Sequence, residues 1–440
     1  MIDESTKKPY NYFIKKFFHG KDMLEKMADL SKIINQKDDA AKYMVKEITH
    51  ICKNLPKRDP GSEGEKQSIE YMAKQLKEEC GCDDVHIDSF DVHPRSFFGW
   101  VYFTITFILI AIAAFFFAPI ISIILIILGL GIVTVSFGFY TKIIDWAFPK
   151  KTGHNVYGTK KPTGEVKRRI FFNGHPDAVW EWPVNYRFGG VAFEAHSVLS
   201  ALGAVYYLIL SIIYVVKYGV HFSLPASFSD PLVIAAFCGF IFIPFLFGLY
   251  FIADYKTVVD GANDNLSGCY MGIALLKYLE DNNIEFEHTE IGVLNTGCEE
   301  AGTRGAMAFA DQHMGEFDDV PTFVYSFDTI FDPSQLMVNY RDLNGIKKSD
   351  KEASDLFLNS AKELNLPCKK GWVPPLGGCT DTVPLNRCMR AAGITGLNHK
   401  LENYYHTRRD TYDNMNLEGL ANCFAITAKT LEHFDEGALD

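Results

Sequence analysis

Positive charge is in short supply in this sequence. Its 43 Lys and Arg stand against 54 Asp and Glu, a formal net charge of −11. A nucleic-acid binder needs clustered cations for its phosphate contacts, so that class is not expected. Charge of either sign is scarce too, at 22% of residues against 48% hydrophobic, which excludes disorder as the dominant state. Near the N-terminus no uninterrupted apolar core is found, because charges run throughout residues 1–18, and no cleavable signal peptide is expected. The 10 cysteines follow no framework spacing. Reduced thiols in a cytosol-facing protein are the simpler expectation. Internal repeats and low-complexity tracts are missing as well.

The most telling absence is local. From Ser96 to Thr141, between Arg95 and Lys142, there is not one charged residue. A bilayer-spanning helix needs about 20 apolar residues, so this block is long enough for two, with Pro119 near its middle to break the chain. A third block, Ser197 to Val216, is closed by Lys217, and a fourth, Pro231 to Ala253, lies between Asp230 and Asp254. Buried core helices are rarely apolar on every face for that length. Two inserted transmembrane hairpins, 96–143 and 197–253, four spans in all, are therefore expected. Arg95, Lys142, Lys150 and Lys151 flank the first hairpin, whereas the 217–230 tip offers only Lys217. The positive-inside rule then puts the catalytic domain and both termini in the cytoplasm.

Without the hairpins, the chain reads as an α/β domain made of 50–95, 144–196 and 254–440, preceded by a separate helical segment at 1–49. In that segment, Tyr10 to Phe18 interleaves aromatics with Lys15 and Lys16, the pattern of an interfacial helix or of one packed on the domain. An amphipathic helix at 63–79 and an alternating strand at 85–92 are followed by strands at 153–159, 168–174, 289–296, 322–328 and 335–340. Helices are expected at 266–281, 301–313, 350–364 and 415–435. Strands alternating with helices predict a mixed, mostly parallel central sheet with helices on both faces.

Acidic residues and histidines cluster where these strands end. His175 and Asp177 follow one strand, Asp264 opens a helix, Glu299 and Glu300 follow another strand, Asp328 ends a third, and His406 lies near the C-terminus. Singly, each has a plain reading: a surface histidine, a helix cap, a turn former, or a helix start favoured by the dipole. Together they fall at the carboxyl edge of an α/β sheet, where ligands bind. Two histidines and three carboxylates suit one or two zinc ions.

The ordered series GHPDA (174–178), GANDNLSG (261–268), CEEAG (298–302), FDT (327–329) and YHTRRDT (405–411) resembles the di-zinc aminopeptidase family, peptidase family M28, which includes leucyl aminopeptidases, glutamate carboxypeptidases and glutaminyl cyclases. The segment DPGSEGEKQSIEYM at 59–72 resembles the family's opening helix. The resemblance implies two zinc ions, with cobalt or manganese as substitutes. It implies that Asp264 bridges them, that Glu300 and His406 complete one site, and that His175 and Asp328 complete the other. Asp177 would orient the imidazole of His175. Glu299 would be the general base, and Tyr405 would stabilise the oxyanion. Asp381 matches the family's late Ser-Asp-His segment, but Thr382 replaces its usual His or Tyr, which bears on the substrate-binding wall. The hairpins also depart from the family's soluble members.

The expected function is thus a membrane aminopeptidase whose partners are peptides, including hydrophobic or membrane-associated ones, and the lipid bilayer. The alternatives are a cyclase, where tryptophan tends to replace Tyr405, a carboxypeptidase, and a catalytically inactive membrane scaffold or transporter component. The spans lack the charges of a transporter, and no expected ligand is missing. The insertion points also suggest that the hairpins roof the active site; simple anchoring is the alternative. The sequon Asn265-Leu266-Ser267 beside Asp264 argues against a secretory lumen.

Overall fold

The computed structural model describes residues 29–398 and 402–440. The Tyr10–Phe18 helix expectation lies outside them. Eight strands form the main sheet: β1 Asp84–Val92, β2 Lys151–Lys160, β3 Arg168–Gly174, β4 Thr289–Thr296, β5 Thr322–Asp328, β6 Met337–Asn339, β7 Lys369–Gly371 and β8 Arg390–Thr395. Their spatial order is β1-β2-β4-β3-β5-β8-β6-β7. The central four, β4, β3, β5 and β8, are parallel neighbours. Strand β2 pairs antiparallel with both β1 and β4, and β6 pairs antiparallel with β8.

The central strands read as continuous apolar runs because both of their faces are covered. Ile170 and Phe172 of β3 enter one core with helices Lys37–Asn54, Glu63–Glu78, Ser267–Asp281 and Leu417–Asp435, while Phe171 points to the other face, against Ala306, Phe309 and Leu385. Capping fixes several helix starts. Ser62 accepts from the Glu65 N–H at 3.2 Å, Asp350 from Ala353 at 2.9 Å and Asn416 from Gly419 at 3.1 Å, each satisfying a donor the helix cannot.

Some boundaries differ from expectation. Helix Lys37–Asn54 runs through residue 49, and Ala40, Met44, Ile48 and Ile51 are buried in the main core, so the described part of 1–49 packs as part of the domain. The helix expected at 301–313 begins at Arg304, because Gly302 and Thr303 take positive φ and turn the chain first. The third apolar block belongs to a longer helix, Gly190–Tyr218, and the strand expected at 335–340 is confined to Met337–Asn339.

The apolar blocks fold as helices Trp100–Ala114, Pro119–Gly138, Gly190–Tyr218 and Pro231–Phe251. Three are long and apolar enough to cross a membrane; Trp100–Ala114, with 15 residues, is shorter. Pro119 starts its helix, where its missing N–H has no cost. The four pack as one bundle around Ile105, Ile126, Tyr207 and Leu246. The Ser122 and Ser211 hydroxyls lie 3.0 Å apart, and the Tyr207 hydroxyl donates to the Ala236 carbonyl at 2.6 Å. Outside the bundle, Ile124, Ile127, Ile209, Ile213, Ile241 and Phe247 are exposed.

Strand β1 precedes the first hairpin, β2 and β3 lie between the hairpins, and β4 to β8 follow the second. One sheet holds all three polar segments together.

Candidate functional site

The sheet edge that carries the expected residues is the carboxyl edge of the parallel strands. His175 and Asp177 follow β3, Glu299 and Glu300 follow β4, Asp328 closes β5, and Asp264 precedes helix Ser267–Asp281. His406 comes from the loop after β8. Two donor triads form there, His175–Asp264–Asp328 and Asp264–Glu300–His406, each with its donor atoms within 4.8 Å of one another. Asp264 belongs to both.

The contacts within each triad are those of lone pairs converging on a point. His406 Nε2 lies 3.0 Å from Asp264 Oδ2 and 3.3 Å from Glu300 Oε1. Both oxygens are buried, yet neither makes a hydrogen bond. His175 Nε2 is 3.4 Å from Asp264 Oδ1 and 3.8 Å from Glu299 Oε2. Buried polar atoms are nearly always paired, so these orphans, together with an oxygen and imidazole donor set, fit two divalent cations.

Electrostatics agree. Burial pushes Glu299 and Glu300 well above the usual carboxylate range, and neighbouring carboxylates add to the rise. Asp328 is pushed up to about 6 by burial and by Asp264, and Asp381 to about 7 chiefly by burial. Burial also opposes the charge of Asp264, but the imidazoles of His175 and His406 beside it outweigh that cost and lower its pKa. For His175, burial disfavours the cation, yet Glu299, Asp177 and Asp264 hold it well above its ordinary value. His406 is lowered by burial. A buried pocket this rich in carboxylates calls for cations.

Asp177 does more than orient His175, whose Nδ1 lies 3.4 Å from its carboxylate. The same carboxylate accepts the N–H groups of Glu299 at 3.0 Å and Glu300 at 2.9 Å, so Asp177 ties the two glutamates to β3. Asp381 accepts from the Thr296 hydroxyl at 2.5 Å, and the Thr382 hydroxyl accepts from Thr380 at 2.8 Å. The Tyr405 ring lies stacked on that of His406, centroids 3.9 Å apart.

Other residues had no role assigned from sequence. Asp410 accepts from the backbone of Asn263 at 2.8 Å and of Asp264 at 3.0 Å, holding the shared ligand's loop. Buried Arg58 donates to the carbonyls of Pro176, Asp260 and Gly261, linking the His175 loop to the Asp264 loop. Glu65 accepts from the N–H groups of Gly61 at 2.8 Å and Cys298 at 2.6 Å. Trp182 stands with its ring centroid 4.1 Å from His406 and 4.4 Å from Phe193. Asp410 and Glu65 lie within the quoted motifs, so a signal was present; Arg58 and Trp182 had none. Non-glycine residues at positive φ crowd the site: Cys298, Thr303, Thr329 and His406, as is common where surrounding structure fixes a functional loop.

A family model described as Peptidase family M28 matches residues 250–431, which hold Asp264, Glu299, Glu300, Asp328 and His406. The match spans less than half of the chain, and it is a likeness to that family. The donor array and this match together make the chain a metallopeptidase. No curated protein matches the chain in sequence. Among solved structures, it is similar to a zinc aminopeptidase from Bacillus subtilis at 12% identity, covering 90% of this chain and 95% of that one with a TM-score of 0.54. An aminopeptidase from Aneurinibacillus sp. strain AM-1 is similar at 14% identity, with the same coverages and a TM-score of 0.51. A glutaminyl cyclase from Porphyromonas gingivalis is similar at 10% identity, over 90% of this chain and 98% of that one, with a TM-score of 0.50. At these identities the likeness is one of fold.

Proposed function

We propose that this chain is an integral-membrane, zinc-dependent aminopeptidase that removes N-terminal residues from peptides. The observation that carries the reading is the pair of donor triads sharing Asp264, with Glu299 beside them. His175 and Asp328 would hold one zinc and Glu300 and His406 the other, with Asp264 offering a donor to each. When bound, the ions would supply Lewis acidity toward the scissile carbonyl and water. Glu299 takes the proton from the attacking water and passes it to the leaving amine. Its raised pKa, caused by burial and nearby carboxylates, suits a group that must both accept and return a proton. Asp177 fixes the backbone of Glu299 and Glu300, and Tyr405 donates to the developing oxyanion.

Membrane integration is supported by the exposed apolar side chains of the bundle, which water would not tolerate at that density. The sheet supports an even number of crossings for each hairpin. Strands from before, between and after the hairpins are paired, so each hairpin returns to the side it left. A three-span topology is thereby disfavoured, and Trp100–Ala114, about 22 Å long, serves as the first leg of the first hairpin. The basic flanks of that hairpin support a cytoplasmic sheet.

The test is metal analysis of the purified full chain, with aminoacyl fluorogenic substrates and N-acetylated controls. Zinc near two per chain with cleavage of free-amine substrates alone supports the reading. Efficient cleavage of acetylated peptides would sink the aminopeptidase assignment. The cyclase-like fold motivates one further assay, ring closure of N-terminal glutamine peptides, which the aminopeptidase reading expects to be negligible.

A further inference from the structure

The first hairpin returns to the domain through Phe137 and Tyr140, and Tyr140 is buried although it follows an apolar span. Its backbone sits at φ 55, a region non-glycine residues seldom occupy unless their surroundings hold them there. The holding contacts are present. Arg304, four residues after Glu300, donates to the Tyr140 carbonyl at 3.2 Å and the Thr141 carbonyl at 3.3 Å. Asn344 donates to the Gly138 carbonyl at 3.3 Å. The Tyr140 ring packs on Phe97, at the hairpin's other foot, with centroids 4.7 Å apart. Phe98 beside it meets Trp182, the ring against His406. The hairpin feet therefore belong to the wall of the site.

Beside Tyr140 lies a cavity of about 330 Å³ whose lining includes Met307, Leu343, Cys379, Thr382 and Val383. Its Thr382 wall follows Asp381, whose carboxylate accepts from the Thr296 hydroxyl at the end of β4, three residues before Glu299. The cavity thus borders the loops that carry Asp381 and Glu299, and its walls are mostly apolar. Lys347 and Lys348 stand at its exposed rim and repel a cationic side chain.

We propose that Tyr140, delivered by the first hairpin, is a specificity-determining residue that walls a pocket for a large apolar side chain on the residue being cleaved. The inference rests on the peptidase reading. The experiment uses the zinc-loaded full chain in detergent, with a panel of Ala, Leu, Phe, Trp and Arg aminoacyl substrates. Wild type should favour Leu and Phe, with Arg poorest. Tyr140→Ala should raise the Trp-to-Leu ratio of kcat/KM by about tenfold, the scale of a changed apolar pocket contact. Tyr140→Phe, which keeps the ring, should hold the ratio near wild type. Met307→Ala enlarges the same cavity from another wall and should move the ratio in the same direction, which decides the matter if Tyr140→Ala does not fold. Calorimetric affinities of free Trp and Leu should shift in parallel without any turnover. An unchanged ratio in both folded alanine variants, an equal fall across the whole panel, or Arg as the best substrate would overturn the assignment. Failure of wild type to cleave any free-amine substrate would overturn the peptidase reading and this inference with it.

Discussion

His175 and His406 reach the shared Asp264 through different oxygens, at 3.4 and 3.0 Å, and the two imidazoles are supported in contrasting ways. The Nδ1 of His175 faces Asp177, which also grips the backbone of both glutamates. The Nδ1 of His406 is buried with no hydrogen-bond partner, and its ring is held between Trp182 and Tyr405. One half-site is tied by polar contacts to the central sheet; the other is clamped by rings, one of which stacks on Phe193 of the apolar helix Gly190–Tyr218. The contrast implies that the His175 half is set by the soluble core, whereas the His406 half responds to the bundle.

The largest expected effect is common to both halves. Glu299→Gln should lower kcat by about a hundredfold to ten-thousandfold, with zinc content kept near wild type by plasma emission analysis. Full activity would remove Glu299 from the mechanism. Next comes Tyr405→Phe, which keeps the ring over His406 and removes the hydroxyl. Its kcat should fall by about a hundredfold or more, the scale of one oxyanion donor, while its zinc affinity stays put.

The remaining two substitutions set the halves against each other. Asp177→Asn should weaken zinc binding by about tenfold to a hundredfold, as is usual for the partner of a ligating histidine. Competition with a chromogenic chelator measures this directly. Trp182→Ala should weaken it by about tenfold at most, given the modest worth of an aromatic pair, and should alter only one of two zinc-binding steps. If Trp182→Ala costs more zinc than Asp177→Asn, the ring-clamped half is the stronger and the comparison reverses.

The donor residues were legible because they lie in short contiguous motifs whose order along the chain resembles a known family's; singly, each had a plain reading. The apolar helices were legible from composition. Contacts that cross long stretches of chain were not. Arg58 meets Pro176 118 positions away, and neither residue's neighbours announce the bond. Trp182 reads as an ordinary aromatic until the fold brings His406 against it. Tyr140 lies at the end of an apolar run, where a tyrosine suggests a membrane interface rather than an active-site wall. Helix boundaries such as Arg304 in place of residue 301 shifted because Gly302 and Thr303 serve the glutamate loop first. Tertiary contacts overrode local preference there.

The pairing of β1 with β2, from Asp84↔Thr159 to Val92↔Lys151, joins segments separated by the entire first hairpin. In a chain whose hairpins enter the bilayer, this edge of the sheet cannot zip during synthesis until both legs have been inserted and the chain has come back. The same wait is imposed again between β3 and β4 by the second hairpin. On the proposed topology, biogenesis would be ordered by the insertion machinery rather than by the ribosome alone. The donors after residue 254 would then join His175 only once both hairpins had returned from the lipid, so a half-made chain stalled at the translocon would carry no assembled protease.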